Sequence, residues 1–296
     1  MLGQPTFVLI QVLNSISLGM NLFIIAAGLT LIFGVLRVIN FAHGAFYMIG
    51  AYACYAALAA TGSFWAGVLG AALALGALAF LVERFLLRHL YGREHLMQLL
   101  FTFALVLILG DAAKLVWGTG QYSVPYPAGL DGAAELGPAH FPQYLLFLCF
   151  LGPLVAASMW LVLEKTRWGR LVRAATQDRE MLAALGVNVP LVYTCVFVAG
   201  SVLAGVGGAL AAPRTALTPG MDATIIVECF IVVIIGGLGS LWGSFLGALT
   251  LGFVTVFGAV LAPEVEIVLP YLLMLALLLW RPRGLLGRTA AEERGR

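Results

Sequence analysis

The stretch FVLIQVLNSISLGMNLFIIAAGLTLIFGVL, residues 7–36, contains no Lys, Arg, Asp or Glu. A hydrocarbon core of about 30 Å takes about 20 helical residues to cross, so this stretch can span a bilayer. A cleaved leader wants a basic start and an apolar core of about 7–15 residues. Here no charge at all precedes Arg37. We read the run as a retained first span.

Further apolar runs follow at 41–60, 64–82, 96–116, 143–163 and 191–212. The region 225–280 is broken at Gly236-Gly237-Leu238-Gly239-Ser240 and again at Pro263-Glu264-Val265-Glu266, which predicts spans at 225–240, 244–262 and 267–280. The expectation is an all-α, polytopic transmembrane helix bundle of about eight to nine spans. It forms a single membrane domain over 1–296, with a cytoplasmic loop at 164–190 and a basic tail at 281–296. Composition agrees: 62% of the 296 residues are hydrophobic and 10% charged, against about 45–50% and 25% in soluble domains. Mean hydropathy is +1.02.

The cations give an orientation, because Lys and Arg collect on the cytoplasmic side of short loops. Fourteen of the 16 basic residues are Arg, and the two lysines are Lys114 and Lys165. Arg37, the group Arg84, Arg88 and Arg93, the group from Lys165 to Arg179, and the tail from Arg281 to Arg296 fall on one side of nine alternating crossings. The loop 117–142 holds only Asp131 and Glu135 as charges. This predicts an N-terminus outside and a cytoplasmic C-terminus. No segment is long enough for the clustered basic face that nucleic-acid binding needs.

Several chemistries lack their residues. There is no G-x-x-x-x-G-K-[ST] stretch to cradle ATP phosphates and no H-E-x-x-H. His43, His89, His95 and His140 are scattered, so no metal site is expected. Cys54, Cys149, Cys195 and Cys229 lie singly in apolar runs and read as buried thiols. Nothing places Ser240 near His43 as a hydrolase would require. The chain is read as a non-enzyme without a cofactor of its own.

Polar side chains at membrane depth face another helix or a cavity. Asn14 and Asn21 lie two helical turns apart on one face, Glu228 sits early in its span, and Asp111 can pair with Lys114 one turn on. With Asn40 and His43 between the first two spans, Asn14, Asn21 and Glu228 are the candidates for lining a solute path. Gly239, Gly243 and Gly247 form a small-xxx-small stripe suited to close helix packing, as do Ala204, Gly208 and Ala212.

The loop after Leu163 is longer and more charged than a connector needs. Asp178 to Leu185 reads as a short, mixed-charge helix stopped by Gly186 and Pro190. Such a helix can dock into a partner's groove, and Arg173, Asp178, Glu180, Ala183 and Gly186 are its candidate contact residues.

At these residues the chain resembles the permease subunit of branched-chain amino-acid type ABC importers. The likeness is carried by G-L-T-L-I-F-G-x-x-x-x-I-N-F-A-H-G at 28–44, by the cytoplasmic loop, and by Ile234 to Ser240 followed by Gly243 and Gly247. It implies that the loop is the coupling helix, in which an E-A-A run is followed three residues later by Gly. Glu180 and Gly186 match, while Met181 and Leu182 replace the two small residues. The resemblance further implies a second related permease, two cytoplasmic ATP-binding subunits that use the ATP, and a periplasmic solute-binding protein. Implied solutes are leucine, isoleucine and valine, with urea and amides also found among relatives. The alternative is a stand-alone secondary carrier or channel in which Asn14, Asn21 and Glu228 bind solute.

Overall fold

The computed structural model describes residues 5–137 and 139–287. Arg288, Arg294 and Arg296 of the expected tail lie outside the described residues.

Helices follow the apolar runs. They are α1 (Pro5–Leu36), α2 (Ala42–Thr61), α3 (Phe64–Phe85), α4 (His95–Trp117), α5 (Gln143–Lys165), α8 (Val189–Ala211) and α10 (Leu241–Leu261), each long and apolar enough to cross a membrane. Between α5 and α8 lie α6 (Arg167–Gln177) and α7 (Arg179–Ala184). Two further helices are shorter: α9 (Met221–Gly236) has 16 residues and α11 (Leu269–Trp280) has 12. Among the described residues, the eight to nine spans expected correspond to seven helices long enough to cross and two shorter ones. The loop at 117–142, which lacks Lys and Arg, carries a small hairpin in which β1 (Ala133–Leu136) pairs antiparallel with β2 (Ala139–Pro142).

The longest helix is the central one. At 32 residues α1 is about 48 Å long, and its second half is buried almost continuously from Gly19 to Ile32. Lipid tails are as apolar as leucine, so helices here must gain from close packing and interhelical hydrogen bonds. Gly28 of α1 meets Gly200 of α8, and Gly50 of α2 meets Gly205 of α8. A Cβ on Gly50 would sit 2.3 Å from the Gly205 Cα and carbonyl oxygen, so only glycine permits that approach. Polar side chains fasten the same crossings. Asn21 donates to the Gly207 carbonyl at 3.4 Å, Thr30 and Ser244 share a 2.6 Å hydrogen bond between α1 and α10, and Tyr144 of α5 donates to the Leu210 carbonyl at 2.6 Å.

The glycine stripe at 239–247 is split. Gly243 and Gly247 face Gly236 and Val232 across α9 and α10. Gly239 lies before α10, in the turn, with φ of 79°, and approaches Gly34 of α1. An i, i+4 spacing cannot distinguish a helix from the turn that precedes it. Ser240 caps α10, accepting from the Gly243 amide at 3.1 Å. Of the cysteines, Cys54 and Cys229 are buried, Cys149 is half-buried and Cys195 is exposed. The expectation of four buried thiols is corrected at Cys195, which is exposed on α8 among the described residues.

Candidate functional site

Two regions gather the candidate residues, and both are built on α1. The first is the α1–α2 junction. Arg37 has φ of 54°, the one positive φ outside glycine among the described residues, and the chain turns back there. Ile39 reaches α4, its carbonyl accepting from Thr102 at 3.3 Å. His43 then lies beside the middle of α1: Nε2 is 2.9 Å from the Ile25 carbonyl, and the ring abuts Gly28. Ile25 precedes the end of α1 by eleven residues, about 16 Å of helix. So α2 starts inside the bundle, not at the end of α1. A carbonyl can only accept, which makes Nε2 the protonated ring nitrogen and leaves Nδ1 an acceptor. Asn40 has no solvent exposure, and neither its side-chain oxygen nor its nitrogen finds a partner among the described residues. Its backbone carbonyl, not its side chain, takes the His43 amide at the start of α2.

The other path candidates are dispersed. Asn21 is buried against α8, whereas Asn14 two turns earlier is half-buried. Glu228 is half-buried on α9, beside Val227, which is 37% exposed. α9 joins the first region at its start, where the Asp222 carbonyl packs on Gly44 of α2. Asp111 and Lys114 form their ion pair at 2.9 Å on an exposed face of α4.

The second region is the α6–α7 segment. The sequence reading placed one short helix here, and the structure has two. α6 is amphipathic: Gly169, Val172 and Ala175 are buried while Arg167 and Arg170 are exposed. The spacing i, i+3, i+6 among residues 169–175 could have revealed it. Arg173 belongs to α6 and turns back to α5, bonding the Leu163 carbonyl and pairing with Glu164 at 3.3 Å. It thus fastens the segment to the bundle.

α7 is short and defined at both ends. Asp178 Oδ1 accepts from the amides of Glu180 and Met181 at 3.0 and 2.9 Å, satisfying donors that six residues of helix leave free. At the other end Gly186 has φ of 83°. Its amide reaches the Ala183 carbonyl and that of Val187 reaches Leu182, the Schellman pattern that favours glycine. Leu182 is buried with Leu31 and Val35 of α1, Val172 of α6 and Val192 of α8. Glu180 and Ala183 are exposed, as are Met181 and Leu185, one turn apart, at 60% and 73%. Those two apolar side chains were not among the candidate contacts. Their i, i+4 spacing was the available signal.

Replacing Asp178 with Ala removes the cap, a loss of about 1 kcal/mol. Trypsin cleavage after Arg179 should then speed up about five-fold, the factor to which that energy corresponds, while Asp178→Asn stays near the wild-type rate. Equal rates in all three proteins would refute the capping role.

Comparison with known proteins now bears on these regions. The family described as branched-chain amino acid transport system / permease component matches residues 11–278. The chain belongs to this family. Within it, the chain is 30% identical to the high-affinity branched-chain amino acid transport system permease protein BraD of Pseudomonas aeruginosa, covering 96% of this chain and 97% of that protein. It is 28% identical to the corresponding permease protein LivH of Escherichia coli, covering 98% and 99%. A partial likeness extends to the fructose import permease protein FrcC of Rhizobium meliloti, 32% identical over 33% of this chain and 29% of that protein. No solved structure matches. As a member of this permease family with seven helices long and apolar enough to cross a membrane, the chain is a multi-pass membrane protein, and both regions described above fall within the matched residues.

Proposed function

We propose that this chain is the membrane-spanning permease subunit of an ATP-driven importer for branched-chain amino acids. It stands in the inner membrane of a bacterium, with its N-terminus outside and its C-terminus in the cytoplasm. A related second permease, two cytoplasmic ATP-binding subunits and a periplasmic solute-binding protein complete the complex, and ATP is hydrolysed on the partner subunits. The observation that carries this reading is the α6–α7 segment. It is a capped projection anchored by Leu182 in a cluster with residues of α1, α6 and α8, and it turns Glu180, Met181, Ala183 and Leu185 away from the bundle. An isolated six-residue helix does not hold its shape in water; this one is held and presented.

In that reading, closure of the ATP-binding subunits pushes α7, and the push enters the bundle where α7 is anchored, at α1 and the start of α8. The spans then exchange outward-open and inward-open arrangements, a two-state transition biased from its cytoplasmic end. Asn40 and His43 are assigned to the solute path with Asn14, Asn21 and Glu228. Support for the junction comes from the unpartnered side chain of Asn40, since buried polar atoms are seldom left unpaired without a role.

The test is uptake of radiolabelled leucine into proteoliposomes holding the full complex with its binding protein. Uptake should need ATP inside, and fructose should not compete. Leucine uptake by the purified chain alone would replace this reading with a secondary carrier. Competition by fructose would move the solute class.

A further inference from the structure

One carboxyl group is fully buried at the end of the bundle that carries α7. Glu83, in the last turn of α3, has no solvent exposure. Its Oε2 lies 2.6 Å from Thr194 Oγ1 of α8, and the same hydroxyl lies 2.9 Å from the Pro190 carbonyl. A hydroxyl has one proton and a carbonyl has none. The Thr194 proton is therefore either shared between the two acceptors or given to the Pro190 carbonyl while the carboxyl group supplies one of its own. The two ion pairs found among the described residues join Lys114 to Asp111 and Arg173 to Glu164, so neither involves Glu83.

The surroundings are tied to the same spot. Tyr91, in the connection from α3 to α4, stands beside the carboxyl group and its ring meets Tyr193 of α8 edge-on at 5.4 Å. Glu83 Oε1 and the Tyr91 hydroxyl are both buried without a hydrogen-bond partner. Gln98 Nε2 closes that connection by donating to the carbonyls of Leu90 and Arg93 at 3.0 and 3.3 Å. Thr194 lies one turn past Pro190, so it is close in sequence to the capped end of α7.

Two apolar side chains would hold α3 against α8 at least as well as this arrangement, since replacing both partners of a buried polar pair is commonly neutral or stabilising. The arrangement has something an apolar contact lacks, namely a second polar partner, the Tyr91 hydroxyl, held beside Oε1 just short of a formed hydrogen bond. A shifted α8 can exchange the Thr194 contact for one between the Tyr91 hydroxyl and Oε1. We propose that Glu83, Thr194 and Tyr91 form a buried polar joint that passes displacement of α7, through the first turns of α8, into α3. Glu83 is a positioning residue in this scheme, which rests on the coupling role proposed above.

The experiment compares wild type, Glu83→Leu, Glu83→Gln and Thr194→Val in the complete complex, each scored for co-purification of the ATP-binding subunits, ATP hydrolysis and leucine uptake. The leucine and valine variants should retain the ATP-binding subunits yet take up about ten-fold less leucine per ATP hydrolysed, the factor expected for one lost buried hydrogen bond. The glutamine variant, which can donate to Thr194, should stay near wild type. Unchanged uptake per ATP in both Glu83→Leu and Thr194→Val overturns the joint. So does a fall in uptake matched by the fall in folded protein, because Thr194→Val alters too little volume to unfold the chain. Wild-type chain that fails to bind the ATP-binding subunits overturns the coupling reading itself.

Discussion

Changing Met181 and Leu185 together to Asp should abolish co-purification of the ATP-binding subunits and reduce ATP-dependent leucine uptake to background, while leaving the chain folded. Met181 on α7 and Leu185 at its C-terminal cap stand one turn apart at 60% and 73% exposure, so they contribute little to the packing of this chain. Fully burying an aliphatic or thioether side chain is worth about 1.5–3 kcal/mol, and the few apolar anchors of an interface carry most of its energy. Losing both anchors and placing two charges against an apolar groove should weaken docking by about a thousand-fold or more. Leu182→Ala is the internal contrast. That side chain is 5% exposed and belongs to the buried cluster that includes Val35, Val172 and Val192, so its loss should cost about 2–5 kcal/mol of stability. Measured by size-exclusion profile and thermal unfolding in detergent, Leu182→Ala should fail as a fold and the double Asp variant should not. Wild-type association by the double variant would refute docking through this face.

The membrane class was legible because length and apolarity are properties of a run. The starts and ends of α2, α3, α5 and α10 fall within a few residues of the apolar boundaries, and Asp178 with Gly186 announced both ends of α7. What the residues did not announce was depth. Nothing local to Arg37-Val38-Ile39-Asn40 shows that the chain doubles back by about 16 Å. That placement is made by partners distant in sequence, Ile25 for His43 and Thr102 for Ile39. Arg173 was read as a docking residue from its position in a charged loop, although its direction is set by the Leu163 carbonyl and Glu164. Glu83 was hidden for a similar reason: it adjoins Arg84 in a basic stretch, and its buried partner Thr194 is 111 residues away. Periodicity finds elements, whereas long-range pairing decides which polar residues are sealed.

A methyl group added at Gly50 should be among the most damaging single changes in the chain, and the reason lies in what it meets. An added Cβ would stand 2.3 Å from both Cα and carbonyl oxygen of Gly205. Neither can move without displacing α8, and α8 is fixed on its other sides by Gly28 of α1 and Leu75 of α3. Relief must therefore separate α2 from α8, which forfeits dispersion contacts along the whole crossing. Overpacking of a core costs about 1–3 kcal/mol where side chains can adjust, so Gly50→Ala should exceed about 3 kcal/mol and Gly50→Val should yield no monodisperse protein. Gly110 supplies the control on α4, where an added Cβ meets nothing within 4 Å. Gly110→Ala should lie within about 1 kcal/mol of wild type, the size of the helix-propensity difference. Thermal unfolding in one detergent compares the three. If Gly50→Ala and Gly110→Ala unfold at the same temperature, α2 and α8 are not in backbone contact, and the packing that places His43 and Asn40 inside the bundle is wrong with it.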